Sequence, residues 1–317
     1  MMFWKTYRRR IALTLGILIF AIPALLLSAG VPASAAGEQS LRFLGSSSNG
    51  SDRVRIPVEN KPINITGDFT IEFWMKASAA DNNSGPCDPS GFQWVYGNVM
   101  IDRDIFGPGD YGDYGISLYG GKIAFGTTVG ADSNASTICS SVTVADGQWH
   151  HIAVTRNGSS GQLRIFVDGV QRAQGSGAAG NISYRVGRAT SYPNSDPYLV
   201  LGAEKHDYPG SKYYNGFLDD LRISNSVRYT SDFSRPTAPH TDDANTVALY
   251  RFNEGAGTTI IDEKGQSNGT RLVNGSNGAP QWSTDTPFTG PVSPTPVIRP
   301  TLDPNLDRWC DLPMLIN

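Results

Sequence analysis

Apolar and polar residues alternate with a period of two along much of the chain. Residues 53–58 and 69–76 show the pattern most clearly, with Val54, Ile56, Phe69, Ile71 and Phe73 at every second position. Successive side chains of a β-strand point to opposite faces, so this alternation predicts half-buried antiparallel strands. The intervening residues are expected on a solvated face: Arg53, Arg55, Pro57, Thr70, Glu72, Trp74 and Lys76.

Further strands and tight turns follow at short intervals. Strands are predicted at residues 94–101, 114–118, 122–127, 149–156, 163–167, 198–202, 217–223 and 247–252. Asp168-Gly169 and Gly120-Gly121 each separate two such segments, which indicates hairpins because a primed two-residue turn needs positive φ twice. No segment after residue 36 has a convincing helical period. This spacing predicts an all-β sandwich or barrel.

The N-terminus has the pattern of a secretory signal. Lys5 and residues 8–10 are basic, residues 11–29 are apolar, and Ala33 and Ala35 supply an A-x-A cleavage site. We therefore expect a signal peptide over residues 1–36, with a signal helix, and no membrane insertion after cleavage. The alternative is an uncleaved anchor, since the apolar run of about 19 residues approaches the span that a bilayer requires.

The C-terminal residues differ in composition from the rest of the chain. Prolines recur from residue 291 to residue 304, which is typical of an extended linker. We expect a disordered Pro-rich tail over residues 287–317. Of the three cysteines, Cys87 and Cys139 lie in polar segments between strands and are expected to form a disulfide, as an exported chain permits. Cys310 would then be free or form an intermolecular bond.

Charge excludes one class of partner. The formal net charge is −3, and it becomes −7 without residues 1–36, which carry four basic residues and no acidic ones. A mature chain of this sign lacks the basic surface that nucleic acids and anionic lipids need. We expect a secreted or cell-surface protein whose partner is a glycan or a surface protein.

Four segments resemble LamG-like jelly-roll domains. Residues 65–76 (ITGDFTIEFWMK), 147–156 (GQWHHIAVTR), 163–169 (LRIFVDG) and 216–223 (GFLDDLRI) occur in that family's order and cover residues 40–233. The resemblance implies the concanavalin A-like lectin/glucanase architecture, an antiparallel two-sheet jelly-roll sandwich. Residues 246–285 are similar to a segment that often accompanies such domains. We interpret them as edge strands of one domain over residues 37–286, with a half repeat as the alternative.

Catalytic chemistry is not indicated by the sequence. A glycoside hydrolase normally needs two carboxylates flanking the scissile bond, and glucanases of this fold carry a Glu-x-Asp-x-x-Glu pattern that is absent here. Glu72 has no second carboxylate on its strand, and His150 and His151 point to opposite faces of theirs. We expect structural histidines and no enzymatic activity, with a divergent glycoside hydrolase as the less favoured alternative. No C-x-x-C motif or His/Cys cluster indicates zinc.

Calcium is the expected metal, because many relatives in the resembled family bind a structural calcium ion. Calcium takes oxygen ligands, and aspartates occur in several glycine-rich or strand-end positions. Turn aspartates that are simply solvated are the alternative. The candidate ligands are Asp52, Asp102, Asp104, Asp219 and Asp220, with Asp110 and Asp113 in the same Asp-rich loop as Asp102.

Tyrosines are the candidate ligand-binding residues, since exposed rings on loops can stack on sugars. The strongest candidates are Tyr192, Tyr208, Tyr213 and Tyr214, and Tyr111, Tyr114 and Tyr198 are also considered. Trp94 and Trp149 are expected in the core. The resulting hypothesis is a non-catalytic module that recognises carbohydrate or a surface partner. A structural or adhesive surface domain without lectin activity is the alternative.

Overall fold

The computed structural model describes residues 37–45, 50–107, 112–187, 189–275 and 277–288. The predicted signal segment and nearly all of the predicted tail, including Cys310, lie outside these ranges. The described residues contain no α-helix, and none of their helical turns is long and apolar enough to cross a membrane. The strands are β1 (Ser40–Leu44), β2 (Arg53–Pro57), β3 (Phe69–Ser78), β4 (Asn98–Arg103), β5 (Asp113–Tyr119), β6 (Lys122–Thr128), β7 (Ser136–Thr143), β8 (Asp146–Arg156), β9 (Gln162–Val167), β10 (Val170–Ser176), β11 (Tyr198–Leu201), β12 (Lys212–Tyr213), β13 (Asn215–Ser224), β14 (Thr246–Tyr250), β15 (Thr259–Ile260), β16 (Gly269–Leu272) and β17 (Gln281–Ser283).

These strands form two sheets. Sheet A has the order β10-β9-β8-β3-β13-β1-β17, with β14 also paired to β13. Sheet B has the order β15-β16-β2-β11-β4-β5-β6-β7, and the short β12 pairs in parallel with β4. All other pairings are antiparallel. The predicted all-β, two-sheet sandwich is confirmed. The strands of residues 246–283 contribute to both sheets.

The core lies between the sheets and is built from the predicted apolar positions. Val54 and Ile56 of β2 and Phe69, Ile71 and Phe73 of β3 are buried with almost no exposed surface. The predicted hairpins are also present, because Asp168 and Gly169 have φ of 52° and 81° and join β9 to β10. Gly120 and Gly121 join β5 to β6 in the same way.

The outer face of sheet A is covered at three of the predicted solvated positions of β3, which corrects that prediction. Thr70, Glu72 and Trp74 are as buried as the core-facing residues of β3. Residues 225–245, called the covering segment below, cross this face between β13 and β14. The hydroxyl of Thr70 donates to the carbonyl of Ser226 and accepts from the amide of Arg228. Alternation in one strand cannot show that a distant segment will cover its polar face.

Arg53 is a second exception to the predicted solvated set. Its side chain is buried, and its guanidinium lies 2.6 Å from a carboxylate oxygen of Asp207. The ion pair accounts for the burial, since a buried charge requires a partner. Trp149, expected in the core, is half-buried and donates its indole N–H to Asp285 at 2.9 Å.

Residues 94–101 do not form one strand as predicted. Gln93–Tyr96 is a 3-10 turn, and β4 begins at Asn98. The ring of buried Trp94 packs on the outer face of sheet B, against Gly115 of β5 and Gly126 of β6. Only glycine permits this contact, because a Cβ on Gly115 would lie 1.9 Å from the Trp94 ring and one on Gly126 would lie 2.0 Å from it.

The predicted disulfide between Cys87 and Cys139 is present. It joins the loop that precedes the 3-10 turn to β7, across 52 residues of sequence. The turn is further held by hydrogen bonds, since the hydroxyl of Ser117 donates to the carbonyl of Trp94 at 2.7 Å. The disulfide and these hydrogen bonds hold the loop against the outer face of sheet B.

Candidate functional site

A pocket of about 160 Å³ lies on the outer face of sheet B, beside the Trp94 turn. The loops after β4 and on both sides of β11, the start of β5, the end of β6 and the turn that follows β6 supply its other residues. We call it the aromatic-rimmed pocket. Its lining comprises Phe92, Trp94, Val95, Asp104, Phe106, Asp113, Thr128, Asp132, Tyr192, Glu204, His206 and Tyr208.

The rim of the pocket concentrates exposed rings. Phe92, Phe106, Tyr192 and Tyr208 are between 38 and 49% exposed, and they are four of the seven large hydrophobic side chains that the described residues expose. Single exposed hydrophobic residues are ordinary, but their convergence on one concave site indicates binding. The structure therefore brings two of the predicted tyrosines, Tyr192 and Tyr208, into one site with two phenylalanines.

These rings also contact one another. The ring centroids of Phe106 and Tyr192 lie 6.0 Å apart, and those of Tyr208 and Tyr96 are separated by the same distance. Phe92 contacts Tyr96 at 6.3 Å. Each exposed ring is thus supported by a neighbour, which reduces the ordering that a ligand would have to impose.

The floor of the pocket is acidic and is fixed by a buried aspartate. Asp104 follows β4, while Glu204 and His206 follow β11, and these two strands are adjacent in sheet B. Asp102 connects the two loops because its carboxylate accepts the amide of Asp104 at 2.7 Å and that of Lys205 at 2.8 Å. Burial, followed by the nearby charges of Glu204 and Asp104, raises the pKa of Asp102 to about 7.

His206 is held among three carboxylates. Its Nε2 lies 2.6 Å from Asp196, and its Nδ1 lies 3.2 Å from Asp104 and 3.4 Å from Glu204. Burial opposes the charged form, but the hydrogen bonds to these carboxylates outweigh it and raise the pKa of His206 to about 12. The His206 side chain is therefore a positive charge in the floor of the pocket. The ring of Tyr192 stacks on it with a centroid separation of 4.3 Å, a favourable cation–π arrangement.

The floor does not offer a set of ligands that suits calcium. Asp104, Glu204 and His206 form one of two groups of potential metal ligands within the described residues. Calcium takes six to eight oxygens, whereas one of these three ligands is a nitrogen, and Nδ1 of His206 lies 3.2 Å from Asp104 and 3.4 Å from Glu204. The second oxygen of Glu204 accepts the amide of Tyr208. The other group, Glu72, His151 and His240, lies on the outer face of sheet A.

The five predicted calcium ligands do not converge. Asp102 and Asp104 meet at the pocket, whereas Asp52 accepts the amide of Leu44 and lies at the start of β2. Asp219 and Asp220 are both buried in β13 of sheet A. They occupy a bulge at which Asp220 has a φ of 47°, so simple alternation does not apply to them. Asp113 lines the pocket, and Asp110 lies outside the described residues.

The remaining tyrosine candidates lie away from the rim or outside the described residues. Tyr214 is fully buried, and its hydroxyl donates to backbone carbonyls of Lys76 and Phe217, which corrects its assignment to ligand binding. The hydroxyl of Tyr213 donates to Asp207. Of the three others, Tyr114 is buried, Tyr198 is half-buried and stacks with Arg55, and Tyr111 lies outside the described residues.

Sequence reasoning missed Phe92, Phe106, Glu204 and His206. None of them lies in a recognisable motif, and they come from three separate loops. The only local signal is the charged run from Glu204 to His206 directly after the apolar β11. A run of charge after a buried strand marks a loop, but it does not show which other loops lie beside it.

Comparison with known proteins agrees with this architecture. The family model Laminin_G_3, described as the concanavalin A-like lectin/glucanases superfamily, matches residues 48–232 and so more than half of the chain. The chain belongs to this superfamily. The resemblance inferred from the four sequence segments is confirmed. A search of curated protein sequences found no match.

Several solved structures are similar to this chain. A protein of Bacteroides ovatus, provisionally named as carbohydrate binding, is 14% identical with a TM-score of 0.50, and the match covers 81% of this chain. This chain spans only 62% of the Bacteroides protein. Domains LG4-5 of the mouse laminin alpha1 chain match at 11% identity and a TM-score of 0.40, over 72% of this chain and 53% of that one.

The CBM40 of the Ruminococcus gnavus IT-sialidase matches at 12% identity and a TM-score of 0.41, over 62% of this chain and 95% of that one. At such identities, similarity to the Bacteroides protein establishes a shared fold of the concanavalin A-like type and nothing about the ligand.

Proposed function

We propose that the chain is an exported, non-catalytic binding module that holds a carbohydrate in the aromatic-rimmed pocket. The observation that carries the proposal is the convergence of four exposed rings on a pocket whose floor is lined by carboxylates. Rings of this kind stack on the C–H faces of a sugar because the negative face of the ring attracts weakly positive C–H groups. Carboxylates accept hydrogen bonds from sugar hydroxyls.

The pocket combines two kinds of surface. Its exposed rings offer apolar faces, and its carboxylates offer hydrogen-bond acceptors. Stacking rings and acidic acceptors together match the amphipathic surface of a saccharide.

The charge of the pocket limits the class of saccharide. Asp104, Asp113, Asp132 and Glu204 line it, while the only cation among the lining residues is His206, which is already bonded to carboxylates. An acidic sugar would enter a negative field without a free cationic partner. The pocket therefore favours neutral or amino sugars over acidic ones.

Non-catalytic binding is supported by how three of the carboxylates are engaged. Asp102 has a raised pKa suited to a general acid, but it is fully buried and each of its two carboxylate oxygens accepts a backbone amide. Asp104 and Glu204 are held by His206 and cannot both act freely on a glycosidic bond. Hydrolysis of any glycan by the purified chain would contradict this assignment.

The test is a glycan array probed with the full chain, first in calcium and then in a chelator. Binding of neutral or amino sugars that survives chelation is the expected result. Tyr208→Ala should weaken that binding at least tenfold, whereas Tyr198→Ala, a half-buried tyrosine outside the pocket, should leave it unchanged. Loss of binding on chelation would instead indicate that calcium takes part in binding the glycan. A folded chain that binds no glycan would leave the adhesive or scaffold alternative.

Export is proposed from two features. The N-terminal segment has the pattern of a secretory signal, and the Cys87–Cys139 disulfide belongs in an oxidising compartment. Fractionation of the native host followed by N-terminal sequencing would test both the location and cleavage after residue 35 or 36. Recovery of the uncleaved chain in membranes would favour the anchor.

A further inference from the structure

A second cluster of titratable side chains lies on the other sheet, under the covering segment. Glu72 comes from β3, His151 from the neighbouring β8 and His240 from the covering segment itself. All three are buried, and their ligand atoms lie within 4.8 Å of one another. The cluster shares no residue with the lining of the aromatic-rimmed pocket. It has no role in the proposed carbohydrate binding.

The two imidazoles lack the hydrogen bonds that burial demands. Both ring nitrogens of His151 and Nε2 of His240 are without a hydrogen-bond partner among the described residues. Nε2 of His151 lies 3.6 Å from Oε2 of Glu72, and Nε2 of His240 lies 3.9 Å from the same oxygen. Both separations are too long for a hydrogen bond. Buried polar groups without partners are rare in folded proteins, and a bound ion is one arrangement that would satisfy them.

These separations suit a tetrahedral metal. Ligand bonds of about 2.0–2.1 Å, the values typical of zinc with imidazole and carboxylate, place neighbouring ligand atoms roughly 3.3–3.5 Å apart. The distances of 3.6 and 3.9 Å need to shorten by only a few tenths of an ångström. Two nitrogens and one oxygen are a donor set for zinc or a similar transition metal, and not for calcium.

The surrounding contacts hold the three ligands in place. Arg222 forms a fork on Oε1 of Glu72, with Nε at 2.9 Å and Nη2 at 2.8 Å, and so leaves Oε2 facing the imidazoles. The carboxylate of Asp220 accepts the backbone amide of His240 at 2.6 Å. Rings of Trp74 and Phe233 contact His151 edge-on. Such outer contacts orient metal ligands.

Charge near the cluster is balanced before any ion enters. Arg222 pairs with Glu72, Arg228 with Asp243 at 2.7 Å, and Arg251 with Asp220 at 2.8 Å. Each of these three arginines has a carboxylate partner, and Nε of Arg228 also lies 3.7 Å from Oε1 of Glu72. The hydroxyl of Tyr229 donates a hydrogen bond of 2.8 Å to Oε2 of Glu72, so this oxygen would accept that bond and bind the metal at the same time.

We propose that Glu72, His151 and His240 bind one zinc ion, which fastens the covering segment to the outer face of sheet A. The three ligands are buried beneath the covering segment, so the fourth position that three protein ligands leave on zinc would hold a trapped water and not a substrate. The ligands are separated by 79 and 89 positions in sequence, so they do not form a short sequence motif.

The test uses the full chain, stripped with a chelator and then supplied with Zn²⁺ alone. We expect one zinc per chain by elemental analysis, together with a higher thermal midpoint. His240→Gln should lose both effects, and His240→Cys, which keeps a ligand atom, should restore them. His150→Gln is the matched control, because His150 lies on the same strand as His151 but bonds Asp168 and Asp146 and should retain zinc.

A measurement on the unaltered chain keeps the proposal testable if a variant does not fold. X-ray absorption of the bound zinc should show two imidazole nitrogens and oxygen in its coordination shell. A chain that takes up no zinc, a shell without imidazole, or unchanged zinc uptake by a folded His240→Gln variant would each overturn the proposal.

Discussion

Gly115→Ala should destabilise the protein by displacing Trp94. The added Cβ would lie 1.9 Å from Cζ3 and 2.2 Å from Cη2 of the indole, far inside van der Waals contact. Overpacking of this kind costs about 1–3 kcal/mol when neighbours can move. Complete loss of the buried Trp94 ring would cost about 3–5 kcal/mol. Because the disulfide-tied loop can move only in part, we expect a loss of about 2–4 kcal/mol.

The assay is urea unfolding of the oxidised protein, supported by thermal melting. For a domain of this size, a loss of about 1 kcal/mol lowers the melting temperature by about 2–4 °C, so the expected decrease is about 4–16 °C. Gly67→Ala is the matched control, since a Cβ added at Gly67 would have no atom within 4 Å and the backbone there has no positive φ. It should change stability by less than about 1 kcal/mol.

A double-mutant cycle with Trp94→Ala isolates the cause. In the Trp94→Ala background, Gly115→Ala should cost less than about 1 kcal/mol, because the ring with which the Cβ collides is gone. If Gly115→Ala costs the same in both backgrounds, the loss of stability comes from backbone strain or another contact. A collision between the added Cβ and the Trp94 ring would then not be the cause.

Three other changes follow from the same structure. Replacing Cys87 and Cys139 by serine opens a closure of 52 residues and should cost about 4 kcal/mol of unfolding free energy, checked by melting with and without reductant. His206→Gln should remove the folding stability that protonated His206 contributes. That contribution is complete below about pH 6.5 and decreases as the pH rises towards about 12, because the pKa of His206 is higher in the folded state than in the unfolded state. The stability gap between wild type and variant should therefore narrow from pH 6 to pH 9, and a constant gap would contradict the raised pKa. Gly169→Ala places a Cβ at a φ of 81° and 2.1 Å from the carbonyl of Phe233. It should lower the free energy of unfolding in urea by at least about 1 kcal/mol. An unchanged midpoint would mean that the covering segment can move away from the added Cβ without loss of stability.

The fold class could be predicted because its signals are local. Period-two alternation in β2 and β3 and the two turn dipeptides, Asp168-Gly169 and Gly120-Gly121, each require only a few neighbouring residues. The four family-like segments added the order of the strands, and the match over residues 48–232 agrees with that order. The two tyrosines of the rim, Tyr192 and Tyr208, could be proposed from sequence because exposed loops are where binding rings lie.

The site itself could not be predicted, because it is made by contacts between loops. Glu72 was expected on a solvated face since nothing in β3 reveals that residues 225–245 cover it. His206 became a candidate only when the fold placed Asp104 and Asp196 beside its ring. Tyr214 was expected at the surface, but its hydroxyl found carbonyl partners inside the sandwich.

The sequence by itself determined the alternating strands, the primed hairpins and the cysteines available for a disulfide, because those features depend on side-chain period, on φ at two residues and on composition. The tertiary structure alone decided which outer faces are covered, where Trp94 is seated and which carboxylates meet His206. Those outcomes depend on segments separated by dozens of residues, and their free energy arises only when burial removes water from between them.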